Sequence, residues 1–115
     1  RVQKRELPSL LLTLPEGVRK VEVRQIYYVE VQNHMLHYHT DEGEFILRGS
    51  LQSAENTLPA KVFAKCNHWY LVNLMHVTGV RKNTASVGPF ELEISRRNRS
   101  AFLEALTKYM GGNSR

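Results

Sequence analysis

Hydrophobic and polar positions change their period several times along this chain, and each change marks an element. Leu10-Leu11-Leu12-Thr13-Leu14 is an apolar run, read as a strand, that is halted by Pro15-Glu16-Gly17, residues that favour a turn. Lys20 to Arg24 then alternates polar residues with valine, the two-residue period of a half-buried strand. Ile26-Tyr27-Tyr28-Val29-Glu30-Val31 is rich in β-branched and aromatic residues and breaks at Gln32-Asn33-His34, which reads as a loop. In a regular strand Tyr27 and Tyr28 face opposite ways, so at most one is buried. His37-Tyr38-His39-Thr40 and Glu44-Phe45-Ile46-Leu47 flank Asp41-Glu42-Gly43, a glycine-containing linker that predicts a β-hairpin.

Further along, Ser50 can cap a short helix carrying Leu51, Ala54 and Leu58, because its hydroxyl can accept a bond from an orphaned backbone N–H; Pro59 ends the element. Phe63, Tyr70-Leu71-Val72 and Met75 to Val80 are expected to be buried short segments, and their period fits strand or turn equally. The run Trp69 to Val72 reads as core, being hard to leave in water. Phe90-Glu91-Leu92-Glu93-Ile94 alternates as a strand with its glutamates outward. Phe102, Leu103, Leu106, Tyr109 and Met110 recur at helical spacing, with Asn98 as cap and Gly111 past the end. The predicted architecture is mainly β with short helices: one domain over 1–115, its core at about 10–110, with a C-terminal helix packed on the sheet. The alternating strand–helix rhythm of a nucleotide-binding fold is missing.

Composition narrows the class. Apolar residues make up 42% and charged ones 23%, values of an ordinary globular chain that exclude disorder. Leu10-Leu11-Leu12 is far short of the roughly 20 apolar residues that span a bilayer, so a soluble domain with no membrane partner is expected. The single cysteine, Cys66, excludes an internal disulfide and suits a reducing cytoplasm. The basic opening from Arg1 to Arg5 lacks a methionine, and Gly111-Gly112-Asn113-Ser114-Arg115 reads as a flexible end, so a trimmed fragment of a longer chain is expected. The net charge is +5, and its placement matters more than its size. Residues 61–100 hold Lys61, Lys65, Arg81, Lys82, Arg96, Arg97 and Arg99 against only Glu91 and Glu93, which accounts for the whole excess. A polyanion is the natural partner of such a block; a solvated face is the ordinary alternative.

Three segments, in this order and spacing, resemble the LytTR DNA-binding family of bacterial transcription regulators. Ile26-Tyr27-Tyr28-Val29-Glu30 looks like the family's apolar and aromatic strand closing on a glutamate. Phe63-Ala64-Lys65-Cys66-Asn67-His68-Trp69-Tyr70-Leu71-Val72-Asn73-Leu74 is similar to its Phe-x-Arg-x-His-Arg-Ser-Tyr-Leu-Val-Asn signature. Leu92-Glu93-Ile94-Ser95-Arg96-Arg97 matches its Leu-x-Val-Ser-Arg-Arg ending before a terminal helix. With Arg48-Gly49-Ser50-Leu51 the likeness covers roughly residues 10–110. It departs in the middle, where Lys65 replaces Arg, Asn67-His68 replaces His-Arg, and Trp69 stands where serine is common.

The resemblance implies an elongated fold of antiparallel sheets that binds double-stranded DNA through loops at successive major-groove positions. Those loops map onto Gln32 to His34, Lys65 to His68 and Ser95 to Arg99. His34, His68 and Arg97 are the expected base contacts, with Asn67 competing for the middle place, since Arg, Asn and His can all bond base edges. Asn33, Lys65, Lys82, Arg96 and Arg99 are the expected phosphate contacts. The implied function is non-catalytic, sequence-specific binding to promoter repeats as two copies, in the output domain of a response regulator, with no cofactor.

Other chemistry competes. His34, His37 and His39 spell a His-x-x-His-x-His string, but no carboxylate or thiol at ligand spacing completes a metal set, and surface strand residues are the ordinary reading. Cys66 beside Lys65 and His68 is either a thiol with lowered pKa or a small packing residue. Glu30 either pairs with a cation or is solvated. A protein-interaction β module would capture a peptide on a strand edge, and a metal-dependent nuclease would need a paired-carboxylate cluster that the sequence lacks. The DNA reading requires His34, His68 and Arg97 to emerge on one side of the scaffold.

Overall fold

A computed structural model describes residues 8–111; the basic opening and the tail from Gly112 lie outside the described residues. The first apolar run forms β1 (Ser9–Leu14), which pairs antiparallel with β2 (Gly17–Glu22) across the Pro15-Glu16 turn. The alternating segment ends as a strand at Glu22, not Arg24. There the Gln25 side chain accepts the Glu22 N–H at 2.9 Å and tightens Val23–Gln25 into one 3-10 turn.

The sheet that follows has the order β5-β4-β3-β7-β6, all antiparallel: β3 (Ile26–Gln32), β4 (Met35–Thr40), β5 (Gly43–Arg48), β6 (Phe63–Lys65) and β7 (Tyr70–Asn73). The expected hairpin at Asp41-Glu42-Gly43 joins β4 to β5, and Thr40 Oγ1 locks it by donating to Gly43 O (2.7 Å) and accepting from Glu42 N (3.0 Å). Ser50 caps α1 (Leu51–Thr57) as expected, accepting the Ser53 N–H at 3.1 Å. The segments of undecided period resolve into β6, β7, a 3-10 turn at Leu74–His76 and β8 (Val77–Arg81), and Met75 to Val80, expected to be buried, holds no buried residue because β8 is an edge strand. β8 opens a second antiparallel sheet of order β10-β9-β8, with β9 (Thr84–Val87) and β10 (Phe90–Glu93). α2 (Arg96–Tyr109) closes the described chain, and Gly111 beyond it takes a φ of +125°, as its expected place past the helix end requires.

The five-stranded sheet separates two cores, and consecutive residues serve different ones. Val29, Leu36, Tyr38, Leu71 and Phe63 face the β1–β2 hairpin and α1. Tyr28, Val72, Cys66 and Leu74 face the second sheet and α2, meeting Ala85, Val87, Leu92, Ile94 and Phe102. Tyr28 beside Val29 and Leu71 beside Val72 show why apolar residues run without polar interruption here: both faces of the central strands are buried.

Only one of Tyr27 and Tyr28 is buried, as expected, but β3 is not regular there and the two do not face opposite ways. The register of β3 on β4 skips a residue between Ile26 and Tyr28, and this bulge brings Tyr27 to the same side as Tyr28. Both rings meet Phe90, with centroids 5.7 and 5.1 Å away, although only Tyr28 is buried. Tyr27 also explains Gly88: at its φ of +56° an added Cβ would sit 2.5 Å from the Tyr27 ring.

Candidate nucleic-acid interface

Four connections between elements are neighbours, three of them joined by hydrogen bonds and the first facing the second across a cleft. The β3–β4 connection comes first and is tighter than the loop expected: Gln32 pairs with Met35, leaving Asn33 and His34 as a two-residue turn with φ of +50° and +65°. Positive φ at both positions suits the right-handed twist of a hairpin, and glycine normally fills the second. The β6–β7 loop stands beside it: Val31 N–H, near the end of β3, donates to Trp69 O at 3.0 Å and extends the β3–β7 pairing toward the turn. The β10–α2 junction comes next, with Ser95 N–H donating to Cys66 O at 2.9 Å and Asn67 Nδ2 to Glu93 O at 2.7 Å. The β8–β9 turn completes the row, as Ile94 N–H donates to Asn83 O at 2.7 Å and the Arg99 guanidinium bonds Lys82 O.

The row carries nearly all the residues singled out from the sequence. Asn33, His34, His68, Lys82, Arg96 and Arg97 are exposed, while Lys65 and Arg99 are half-buried. His34 and His68 line one open cleft of about 630 Å³, shared with Asn33, Gln32, Trp69 and Tyr70. Arg97 lies on the junction bonded to the loop that bears His68.

Asn67 behaves differently from its expected place among the base contacts. It is 3% exposed, and its amide is engaged at both ends: Oδ1 accepts Trp69 N–H at 2.7 Å and Tyr70 N–H at 3.1 Å, and Nδ2 donates to Glu93 O. It shapes the loop from inside. Trp69, expected in the core, is 54% exposed, because the turn made by Asn67 rotates it out of the strand pattern that begins at Tyr70. An asparagine two residues before an apolar run was the one available signal, since Asn side chains bond the backbone two positions on.

Helix α2 also starts earlier than expected. Ser95, not Asn98, is its N-cap; Ser95 Oγ accepts Asn98 N–H at 3.2 Å and donates to Asn98 Oδ1 at 2.8 Å. Arg96 and Arg97 therefore occupy the first helical turn, which has no acidic residue. Cations there oppose the helix macrodipole, and an anion placed nearby relieves the conflict.

The remaining candidates resolve without a site. Cys66 is wholly buried, and burial pushes its thiol up to about 12, the opposite of an activated thiolate; Sγ donates to Glu93 O at 3.4 Å. His37 Nδ1 lies 2.6 Å from Glu44 Oε2, and His39 Nε2 lies 3.1 Å from Glu30 Oε1 while its ring stacks on Tyr28 at 4.3 Å. Glu30 Oε2 also accepts Gln32 Nε2–H at 3.0 Å, so this carboxylate is engaged by neighbouring side chains and not by water alone. Among the described residues no group of three His, Cys, Asp or Glu is placed to hold a metal ion, and no helix is long and apolar enough to cross a membrane.

Basic, exposed loops set in a row on an antiparallel scaffold define a nucleic-acid-binding domain. The LytTr DNA-binding domain family matches residues 16–107, and the chain belongs to it. That family is one of DNA binding and not of enzymes. Among solved structures, the fold is similar to the LytTr DNA-binding domain assigned to a methyl-accepting/DNA response regulator of Bacillus cereus. The two share 22% identity and a TM-score of 0.72, over 90% of this chain and 96% of that one. No curated protein matches the chain significantly.

Proposed function

We propose that this chain is a sequence-specific reader of double-stranded DNA, the cytoplasmic output domain of a response regulator that controls transcription. Two copies sit on repeated promoter elements, and the loops enter successive major grooves. One observation carries the reading: exposed His34 and His68 line one cleft, and exposed Arg97 follows Ser95, whose N–H bonds the loop that bears His68. Arg97 gives paired hydrogen bonds to guanine O6 and N7, while the imidazoles bond single base-edge acceptors. Asn33, Lys65, Lys82, Arg96 and Arg99 hold the backbone, with Arg99 also keeping its bond to Lys82 O. Asn67 is left out of the contacts, its amide being taken up inside the loop.

Selection of bound duplexes from a random pool, repeated with Arg97→Ala, tests this. The parent chain yields a motif, and the variant loses preference at one base pair while keeping salt-sensitive affinity. Neutralising about five phosphates gives a slope of about −4.5 for log K against log[salt]. An unchanged motif removes Arg97 as a reader, and a slope near zero removes the phosphate contacts.

His34 offers a second test, because its backbone prefers another residue. At φ +65° glycine is unstrained, so His34→Gly is expected to leave stability unchanged or raise it by about 1 kcal/mol. The same change removes the imidazole and weakens specific binding. Melting curves and duplex titrations separate the two effects; equal affinity in both proteins would take His34 off the interface.

A further inference from the structure

We infer that Trp69 is a fourth DNA-reading residue, its indole packing against a thymine methyl group in the major groove beside the base pair met by His68. This rests on the DNA-binding reading above and adds to it an apolar contact that the loop cations and imidazoles cannot supply.

The placement of Trp69 carries the inference. It is the only tryptophan in the chain, it lies outside both cores, and it is 54% exposed. Its backbone is nonetheless fixed at both ends, since its N–H donates to Asn67 Oδ1 at 2.7 Å and its carbonyl accepts Val31 N–H at 3.0 Å. A large apolar side chain is therefore displayed in water from a rigid point, so little ordering is lost when it meets a partner. The indole lies edge-on to the His68 ring, with centroids 5.6 Å apart and planes at 88°. Across the open cleft stand Asn33 and His34. Any duplex that meets His34 and His68 together also meets the side chain lining the space between them.

The chemistry of the groove selects the partner. Base edges in the major groove are polar except for the C5-methyl of thymine, which is where apolar side chains make contact. The face of the indole fits that methyl, and its Nε1–H can donate to a neighbouring base acceptor. Stacking between bases would require unstacking the duplex, and methyl contact does not.

The test uses the selected duplex, with binding followed by anisotropy of a labelled strand. Intrinsic fluorescence excited beyond the absorption of the tyrosines reads Trp69 alone, the chain having one tryptophan, so it is expected to change in step with anisotropy and saturate at the same ratio. Replacing thymines one at a time with deoxyuridine deletes single methyl groups. At one position this should weaken the parent by about fourfold, the loss of one buried methyl. Trp69→Ala should bind about tenfold to a hundredfold more weakly and show no penalty at that position, with Trp69→Phe keeping part of both effects. Melting curves confirm that the variants fold. Binding with unchanged fluorescence, or a deoxyuridine penalty that persists in Trp69→Ala, overturns the inference and leaves DNA binding standing. A chain that shows no anisotropy change with any duplex overturns both.

Discussion

Phe102→Ala is expected to lower stability by about 3–5 kcal/mol, the usual cost of emptying a buried phenylalanine site. For a domain of this size that lowers Tm by about 12–20 °C. Phe102 is 0% exposed and is the one fully buried residue of α2. It enters the second core among Cys66, Val72, Leu74, Leu92 and Ile94, whereas Leu103, Ala105 and Leu106 are only half-covered. A helix of 14 residues is marginal in water by itself, so its place depends on that contact. Because Arg96 and Arg97 form the first turn of the same helix, the substitution should also weaken duplex binding at temperatures where the variant remains folded. Chemical and thermal melts followed by circular dichroism give the first quantity. A loss under about 1 kcal/mol would mean that α2 is anchored by something other than this ring.

What the sequence made legible was whatever is decided locally. The turn at Asp41-Glu42-Gly43, the alternation of Phe90 to Glu93 and the helical spacing of Phe102, Leu106 and Tyr109 each follow from neighbours within a few residues, and each appears in the fold. β9 escaped because Thr84 and Ser86 alternate with residues as small as Ala85, leaving little hydrophobic contrast. Tyr27 was misplaced because a bulge is set by pairing with β4 and not by its own segment. At the interface, the loops could be located from their basic and turn-forming residues, but the direction each side chain takes could not. Asparagine can bond a base edge or a backbone carbonyl equally well, and Asn67 turns inward because Glu93 O, 26 residues away, is within 2.7 Å. With Asn67 turned in, His68 and Trp69 are left outside, reversing the expected positions of Asn67 and Trp69.

Asn67→Ala is therefore expected to damage both stability and recognition. It removes the acceptor for Trp69 and Tyr70 N–H and the donor to Glu93 O, in a place from which water is largely excluded. Stranding such groups costs about 1–3 kcal/mol each before the loop relaxes, so a total near 3 kcal/mol is expected. The same bonds hold the β6–β7 loop against the β10–α2 junction, which fixes His68 relative to Arg97. Affinity for a selected duplex should fall by about tenfold or more while non-specific, salt-sensitive binding survives, since phosphate contacts need charge more than register. Asn67→Asp separates the two ties: it keeps an acceptor for Trp69 and Tyr70 N–H, loses the donor to Glu93 O, and sets a carboxylate against that carbonyl. It should retain more of the loop shape than alanine does while still loosening the junction. Denaturant melts and duplex titrations on both variants distinguish this role from direct readout. A variant as stable as the parent that loses preference at a single base pair would mean that Asn67 reaches the DNA itself, and the inward placement would not describe the bound state.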